Sequence, residues 1–92
     1  MKLLWSAAAW DDYLNWQETD QDIVRRINVL LRDIRRNAFK GIGKPEPLRG
    51  DLSGWWSRRI TGDHRIVYRI RGIGDDQQIE IVACRYHYSG RR

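Results

Sequence analysis

Cysteine is nearly missing from this chain: Cys84 is the only one in 92 residues. A single thiol excludes an intrachain disulfide and any Cys-based metal cluster. It lies in the apolar run 79–84, which predicts a core-filling thiol rather than a reactive one. Histidine is scarce too. His64 and His87 stand far apart with no HExxH-type spacing, which is weak ground for a metal site. No stretch nears the ~18 apolar residues of a membrane span. The opening Met1-Lys2-Leu3-Leu4-Trp5 has no signal-peptide hydrophobic region behind it, so a cytosolic protein is expected. Proline occurs only at Pro45 and Pro47, and lysine not at all after Lys44.

What is present suits one small domain over 1–92, with 89–92 as a short basic tail. Hydrophobic residues make up 41% and charged residues 32%, a globular balance. The net charge of +5 is unevenly spread. Residues 1–48 carry eight basic against seven acidic side chains, whereas 49–92 carry nine arginines against five acids. The planar guanidinium suits bidentate contacts to phosphate, so a polyanion is the favoured partner. Arginine serving only solubility and surface pairing is the plainer alternative.

Leu3–Trp5 reads as a short opening strand, with Ser6 as the N-cap of a first helix. Trp10, Tyr13 and Leu14 are the expected inner face of that helix. Thr19 and Asp22 resemble a capping box opening a second helix. Its apolar stripe is Ile23, Ile27, Leu30 and Ile34, broadened by Val24 and Leu31, and it stops at Asn37. Residues 37–54 form a long Gly/Pro-rich loop, of a length that is usually functional. Pro45 predicts an extended Lys44, and Pro47 an extended Glu46. Two antiparallel strands follow, 55–60 and 65–71, joined by Thr61-Gly62-Asp63-His64. A last strand covers 78–85. The expected fold is α+β: two N-terminal helices on one face of a curved, mainly antiparallel sheet, in the order β-α-α-β-β-β. The other face is then polar and arginine-rich.

Several side chains on that face could perform acid–base chemistry on a phosphodiester. Glu46, beside Lys44, is a candidate general base, which must lie within about 2.6–3.2 Å of the proton it takes. Arg59 and Arg65 flank the hairpin turn, and strand alternation can bring them to one face, where they would offset charge on a pentacoordinate phosphorus. Arg58 and Lys44 join Arg59 as candidate phosphate ligands. His87 is a candidate general acid near neutrality, and Tyr88 can stack on a base or hydrogen-bond a phosphate oxygen. His64 reads as a turn-end residue, with a phosphate contact as the alternative. Each has a bland reading as a solvated loop or tail residue. Trp5, Trp10 and Trp16 read as structural aromatics. Trp55 and Trp56 should point to opposite faces.

Taken in order, Trp10-Asp11-Asp12-Tyr13-Leu14, Trp16-Gln17-Glu18-Thr19-Asp20, Gly43-Lys44-Pro45-Glu46-Pro47-Leu48, Leu52-Ser53-Gly54, Trp56-Ser57-Arg58-Arg59-Ile60-Thr61, His64-Arg65, Val67-Tyr68 and Ala83-Cys84-Arg85-Tyr86-His87-Tyr88 carry a resemblance. The chain resembles the YoeB family of the RelE/ParE toxin superfamily from bacterial toxin–antitoxin pairs. The resemblance runs from Met1 to Tyr88. It implies a ribosome-dependent endoribonuclease that cuts mRNA in the A site without a metal or other cofactor. It implies a homodimer and silencing by a cognate, YefM-like antitoxin. It matches Glu46 to the family's base, Arg65 to its phosphate-stabilising arginine, Arg59 to a supporting arginine, and His87 and Tyr88 to its catalytic histidine and tyrosine. Three departures stand out: a longer 71–78 connection, the extra Ser89-Gly90-Arg91-Arg92, and the less basic Gly50-Asp51. A gyrase-binding toxin of the ParE type and a plain RNA-binding module remain as alternative functions. Gyrase-directed relatives generally lack the terminal Arg-Tyr-His-Tyr.

Overall fold

The computed structural model describes residues 1–86. The elements run β1 (Lys2–Trp5), α1 (Ala7–Thr19), α2 (Gln21–Arg36), β2 (Glu46–Pro47), β3 (Trp56–Arg59), β4 (Arg65–Arg71) and β5 (Gln78–Ala83), with 3-10 turns at Gly50–Leu52 and Gly74–Asp76. The five strands lie in the order β1-β5-β4-β3-β2. β1 runs parallel to β5, and the other three pairings are antiparallel. The expected α+β arrangement of two helices on a mainly antiparallel sheet is therefore present.

Local chemistry sets the helix ends. Ser6 Oγ accepts the Ala9 N–H at 3.0 Å and so caps α1. Asp20, not Thr19, caps α2, its Oδ1 accepting the N–H groups of Asp22 and Ile23. Thr19 instead donates its hydroxyl back to Asn15 O within α1. Asp20 also donates its own N–H to Trp16 O, so one residue closes the first helix and opens the second. Asn37 ends α2 by donating to Asp33 O, with Arg35 and Arg36 in the last turn, where the helix dipole favours positive charge.

The α2 stripe is as the periodicity predicts: Ile23, Val24, Ile27, Leu30, Leu31 and Ile34 are all buried. The inner face of α1 differs from expectation. Trp10 and Leu14 are exposed, while Ala9 and Trp16 are buried and Tyr13 is half-buried. Ala9 is fully buried, its carbonyl oxygen 3.6 Å from Cys84 Sγ just after β5, and the next residue, Trp10, faces outward. There Trp10 joins Trp5 and Tyr13 in a ring cluster with centroids 5.0–5.7 Å apart.

Residues 37–54 are less of a loop than the sequence suggests. β2 pairs with β3, Leu48 is buried, and its N–H donates to Trp55 O at 2.8 Å. Residues 37–42 are tied to one side chain. The Arg58 guanidinium is completely buried and all three of its nitrogens are engaged. Nε donates to Tyr68 Oη, Nη1 to Asp33 Oδ2 and Ile42 O, and Nη2 to Asn37 O and Lys40 O. Tyr68 Oη in turn donates to Ala38 O. The Arg58 hydrogen bond and neighbouring charge hold the Asp33 carboxyl below its ordinary value. Burial pushes the Tyr68 phenol up, with Arg58 pulling the other way.

Gly43 completes this anchor. A Cβ there would come within 2.8 Å of Leu30 Cδ2, and its carbonyl accepts the Arg59 N–H at 2.7 Å. The chain must then turn sharply into β2. Lys44 does so in the left-handed region, at φ 52°, rather than extended as Pro45 alone predicts. A following proline disfavours the right-handed helical basin, but it does not dictate which other basin the turn selects.

Candidate active site

Strand register places the candidate residues. Arg59 pairs directly with Arg65, Ser57 with Val67, and Glu46 with Ser57. Ile66 and Tyr68 point into the core beneath the helices. Alternation therefore puts Arg65 and Val67 on the opposite face, together with their partners Arg59, Ser57 and Glu46. From two strand spacings and a two-residue rise, the Glu46 and Arg65 Cα atoms are roughly 12 Å apart. Ser57 and Val67 are buried on this face, so they form a floor rather than a protruding ridge. Ser57 Oγ has no hydrogen-bond partner among the described residues.

The arginines divide by role. Arg59 is exposed and makes no ion pair among the described residues. Arg65 uses a single nitrogen, Nη1, to donate to the carbonyls of Thr61, Gly62 and His64, which fixes the side chain over the hairpin turn. Its Nε and Nη2 make no hydrogen bond among the described residues. Arg58 is a correction to the sequence reading. Opposite Ile66 in the register, it faces the core, and its donors are spent on Asp33, Tyr68 and the 37–42 carbonyls, leaving none for a phosphate. Arg69 and Arg71 are also committed, both pairing with Glu80 Oε1 on β5. Their hydrogen bonds, Arg69's foremost, hold the Glu80 carboxyl below its ordinary value. Trp55 and Trp56 do point to opposite faces. Trp55 lies under the Arg69 guanidinium at 4.4 Å, and Trp56 packs against the core and Phe39. Lys44 is exposed two residues before Glu46.

The end of β5 is fastened to α1 at several points. Trp16 Nε1 donates to Cys84 O at 2.9 Å, and Cys84 N–H donates to Asp12 Oδ2 at 3.2 Å. The thiol is buried against Ala9 O, and burial, with Asp12 adding to it, pushes its pKa up to about 12. It is a core thiol, as expected. The chain then passes Arg85, whose guanidinium lies over the Trp16 and Tyr86 rings. At Tyr86 it enters the left-handed region, φ 59°. That conformation costs a non-glycine residue about 1–2 kcal/mol. Two hydrogen bonds from the start of β4 hold it. Tyr86 N–H donates to His64 Nδ1 at 2.8 Å, and Arg65 N–H donates to Tyr86 O at 3.1 Å.

The structure thus brings Glu46, Arg59 and Arg65 onto one face and returns Tyr86 to the Arg65 backbone. His87 and Tyr88 lie outside the described residues. Sequence reading missed the parts that His64, Asp12 and Trp16 play at the C-terminal end, because their partners are main-chain groups 22 to 72 residues away. Among the described residues, no three His, Cys, Asp or Glu side chains gather where they could hold a metal ion, and no helix is long and apolar enough to cross a membrane.

Toxin YoeB of Escherichia coli K12 is 59% identical over 88 residues, covering 96% of this chain and all of that one. A YoeB/ParE toxin structure from Agrobacterium tumefaciens superposes with a TM-score of 0.92 at 55% identity, covering 96% of this chain and 100% of that chain. A YoeB dimer and a heterotetrameric YoeB–YefM complex, both from Staphylococcus aureus, match at TM-score 0.84 and 45% identity, covering 96% of this chain and 98% of each of those. Residues 5–88 match the family model described as YoeB-like toxin of bacterial type II toxin–antitoxin system, and the chain belongs to that family.

Proposed function

We propose that this toxin is a ribosome-dependent endoribonuclease that cleaves mRNA in the A site. The observation that carries the reading is the register that sets Glu46 on the same sheet face as the Arg59–Arg65 pair, with the chain leading to His87 and Tyr88 tied to the Arg65 backbone. Glu46 removes the proton from a ribose 2′-hydroxyl. The 2′-oxygen forms a bond to the adjacent phosphorus, and the bond to the 5′-oxygen breaks. Arg65, with Arg59 and Lys44 nearby, stabilises the added charge on the non-bridging oxygens. His87 protonates the departing 5′-oxygen, and Tyr88 orients the nucleotide. The products are a 2′,3′-cyclic phosphate and a 5′-hydroxyl, and the scheme requires no metal.

The relatives from Staphylococcus aureus, a dimer and a YefM-bound heterotetramer, support a homodimer neutralised by a YefM-like antitoxin; action in the cytoplasm is part of the same proposal. The test is cleavage of a defined message with and without ribosomes, by wild type and by His87→Ala. Cutting confined to ribosome-bound message and lost in the variant is expected. Message binding with no scission by wild type would refute the nuclease reading and leave an RNA-binding module. Gyrase inhibition without scission would favour a ParE-type toxin.

A further inference from the structure

We propose that His64 is a positioning residue for the reaction, holding the origin of the C-terminal segment in register with Arg65; this rests on the nuclease reading above. The observation is a double tether. Tyr86 takes a left-handed conformation that a tyrosine adopts only when its surroundings impose it. The imposing groups are the Nδ1 of His64 and the N–H of Arg65, adjacent residues that grip the N–H and the C=O of Tyr86. His87 follows Tyr86 directly in the sequence. One dipeptide therefore carries the phosphate-binding guanidinium and also fixes the point from which the candidate general acid departs.

His64 is itself held firmly. Its ring meets the buried Trp16 edge-on at 4.8 Å and lies 5.4 Å from the Tyr86 ring. Trp16 is locked in turn by its bond to Cys84 O. Trp16 of α1 thus packs against the imidazole, and Nδ1, by accepting the Tyr86 N–H, leaves the proton of a neutral ring on Nε2. No other side-chain acceptor bonds the Tyr86 N–H among the described residues. Loss of the imidazole should release the left-handed turn and shift the residues that follow, while Glu46, Arg59 and Arg65 keep their sheet positions.

Substitution by size and acceptor position separates this role from mere packing. In His64→Asn the amide oxygen falls near the place of Nδ1. In His64→Gln it falls nearer that of Nε2, and His64→Ala has no acceptor. Turnover at saturating ribosome-bound message should fall roughly 10–100-fold for Ala and Gln, as expected for a displaced reacting group. KM should change little, and Asn should recover most of the lost turnover. Hydrogen exchange at the Tyr86 amide should be slow in wild type and Asn but fast in Ala and Gln, with urea midpoints reporting the integrity of the fold. Wild-type turnover in the Ala variant, an equally protected Tyr86 amide in Ala, or an Asn variant as slow as Ala would each overturn the proposal. If wild type itself cuts nothing, the nuclease reading fails. The Tyr86 exchange rates then still decide whether His64 holds the chain.

Discussion

Replacing Arg58 by alanine should destabilise the protein far more than replacing its neighbour Arg59. Arg58 is fully buried and joins the Asp33 carboxylate, the Tyr68 hydroxyl and the carbonyls of Asn37, Lys40 and Ile42. Removing one partner of a buried ion pair typically costs about 3–5 kcal/mol. The low end applies, because Asp33 is 20% exposed and the loop carbonyls lie near the surface, where water can replace the lost donors. About 3 kcal/mol is a large share of the roughly 5–14 kcal/mol expected for a chain of this size. With a urea slope of about 1 kcal/mol per molar, the midpoint should fall by roughly 3 M. Arg59→Ala should stay within about 0.5 kcal/mol of wild type, as exposed substitutions generally do. The assay is equilibrium urea unfolding at pH 7, followed by tryptophan fluorescence. An Arg58→Ala midpoint matching that of Arg59→Ala would refute the claim that Arg58 is the anchor of residues 37–42 and would return it to the candidate phosphate ligands.

The same anchor predicts an acid limb. Asp33 is held below its ordinary value by Arg58, so its contribution is complete above the unfolded-state pKa of about 4 and is lost as pH falls through the lowered native value. Asp33→Asn should flatten the stability–pH curve in that window; an unchanged slope would contradict the assignment. Cys84, buried and pushed up to about 12, should resist thiol reagents in the native state and react once unfolded; rapid native labelling would show that the end of β5 opens. Ser57→Ala should leave stability unchanged or slightly raised in thermal melts, since it removes a buried hydroxyl with no partner among the described residues, and a clear loss would reveal a bond to Ser57. Glu46→Gln should lower ribosome-dependent turnover by about 10²–10⁴-fold with little change in the urea midpoint, and undiminished turnover would remove Glu46 from proton transfer.

Much of the fold could be read from apolar spacing, and the misses have physical reasons. The α2 stripe was legible because six large aliphatic residues follow the helical period with charged residues between them. In α1 the expected inner face is Trp10, Tyr13 and Leu14, yet the buried residues are Ala9 and Trp16. Asp20 displaced Thr19 as the α2 cap, one residue along. The signal for Arg58 was present in the hairpin itself. If Ile66 faces inward and Arg59 lies opposite Arg65, then Arg58, opposite Ile66, must face inward too. Glu46, expected in a loop, owes its place beside the arginines to the β2–β3 pairing, whereas the shared face of Arg59 and Arg65 followed from strand alternation. The tether on Tyr86 did not, because a ring nitrogen accepting a main-chain N–H 22 residues away leaves no pattern in the sequence.

Transphosphorylation within RNA on this sheet face, as proposed, requires the ribose 2′-hydroxyl. The most direct measurement uses a ribosome-bound message whose scissile nucleotide carries hydrogen in place of the 2′-hydroxyl, beside the unmodified message, with the ends of the fragments analysed. Scission of the ribose message alone, leaving a cyclic phosphate and a 5′-hydroxyl, is the predicted result. Equal cutting of the deoxy-substituted message would show that the 2′-oxygen is not the nucleophile and would contradict the account.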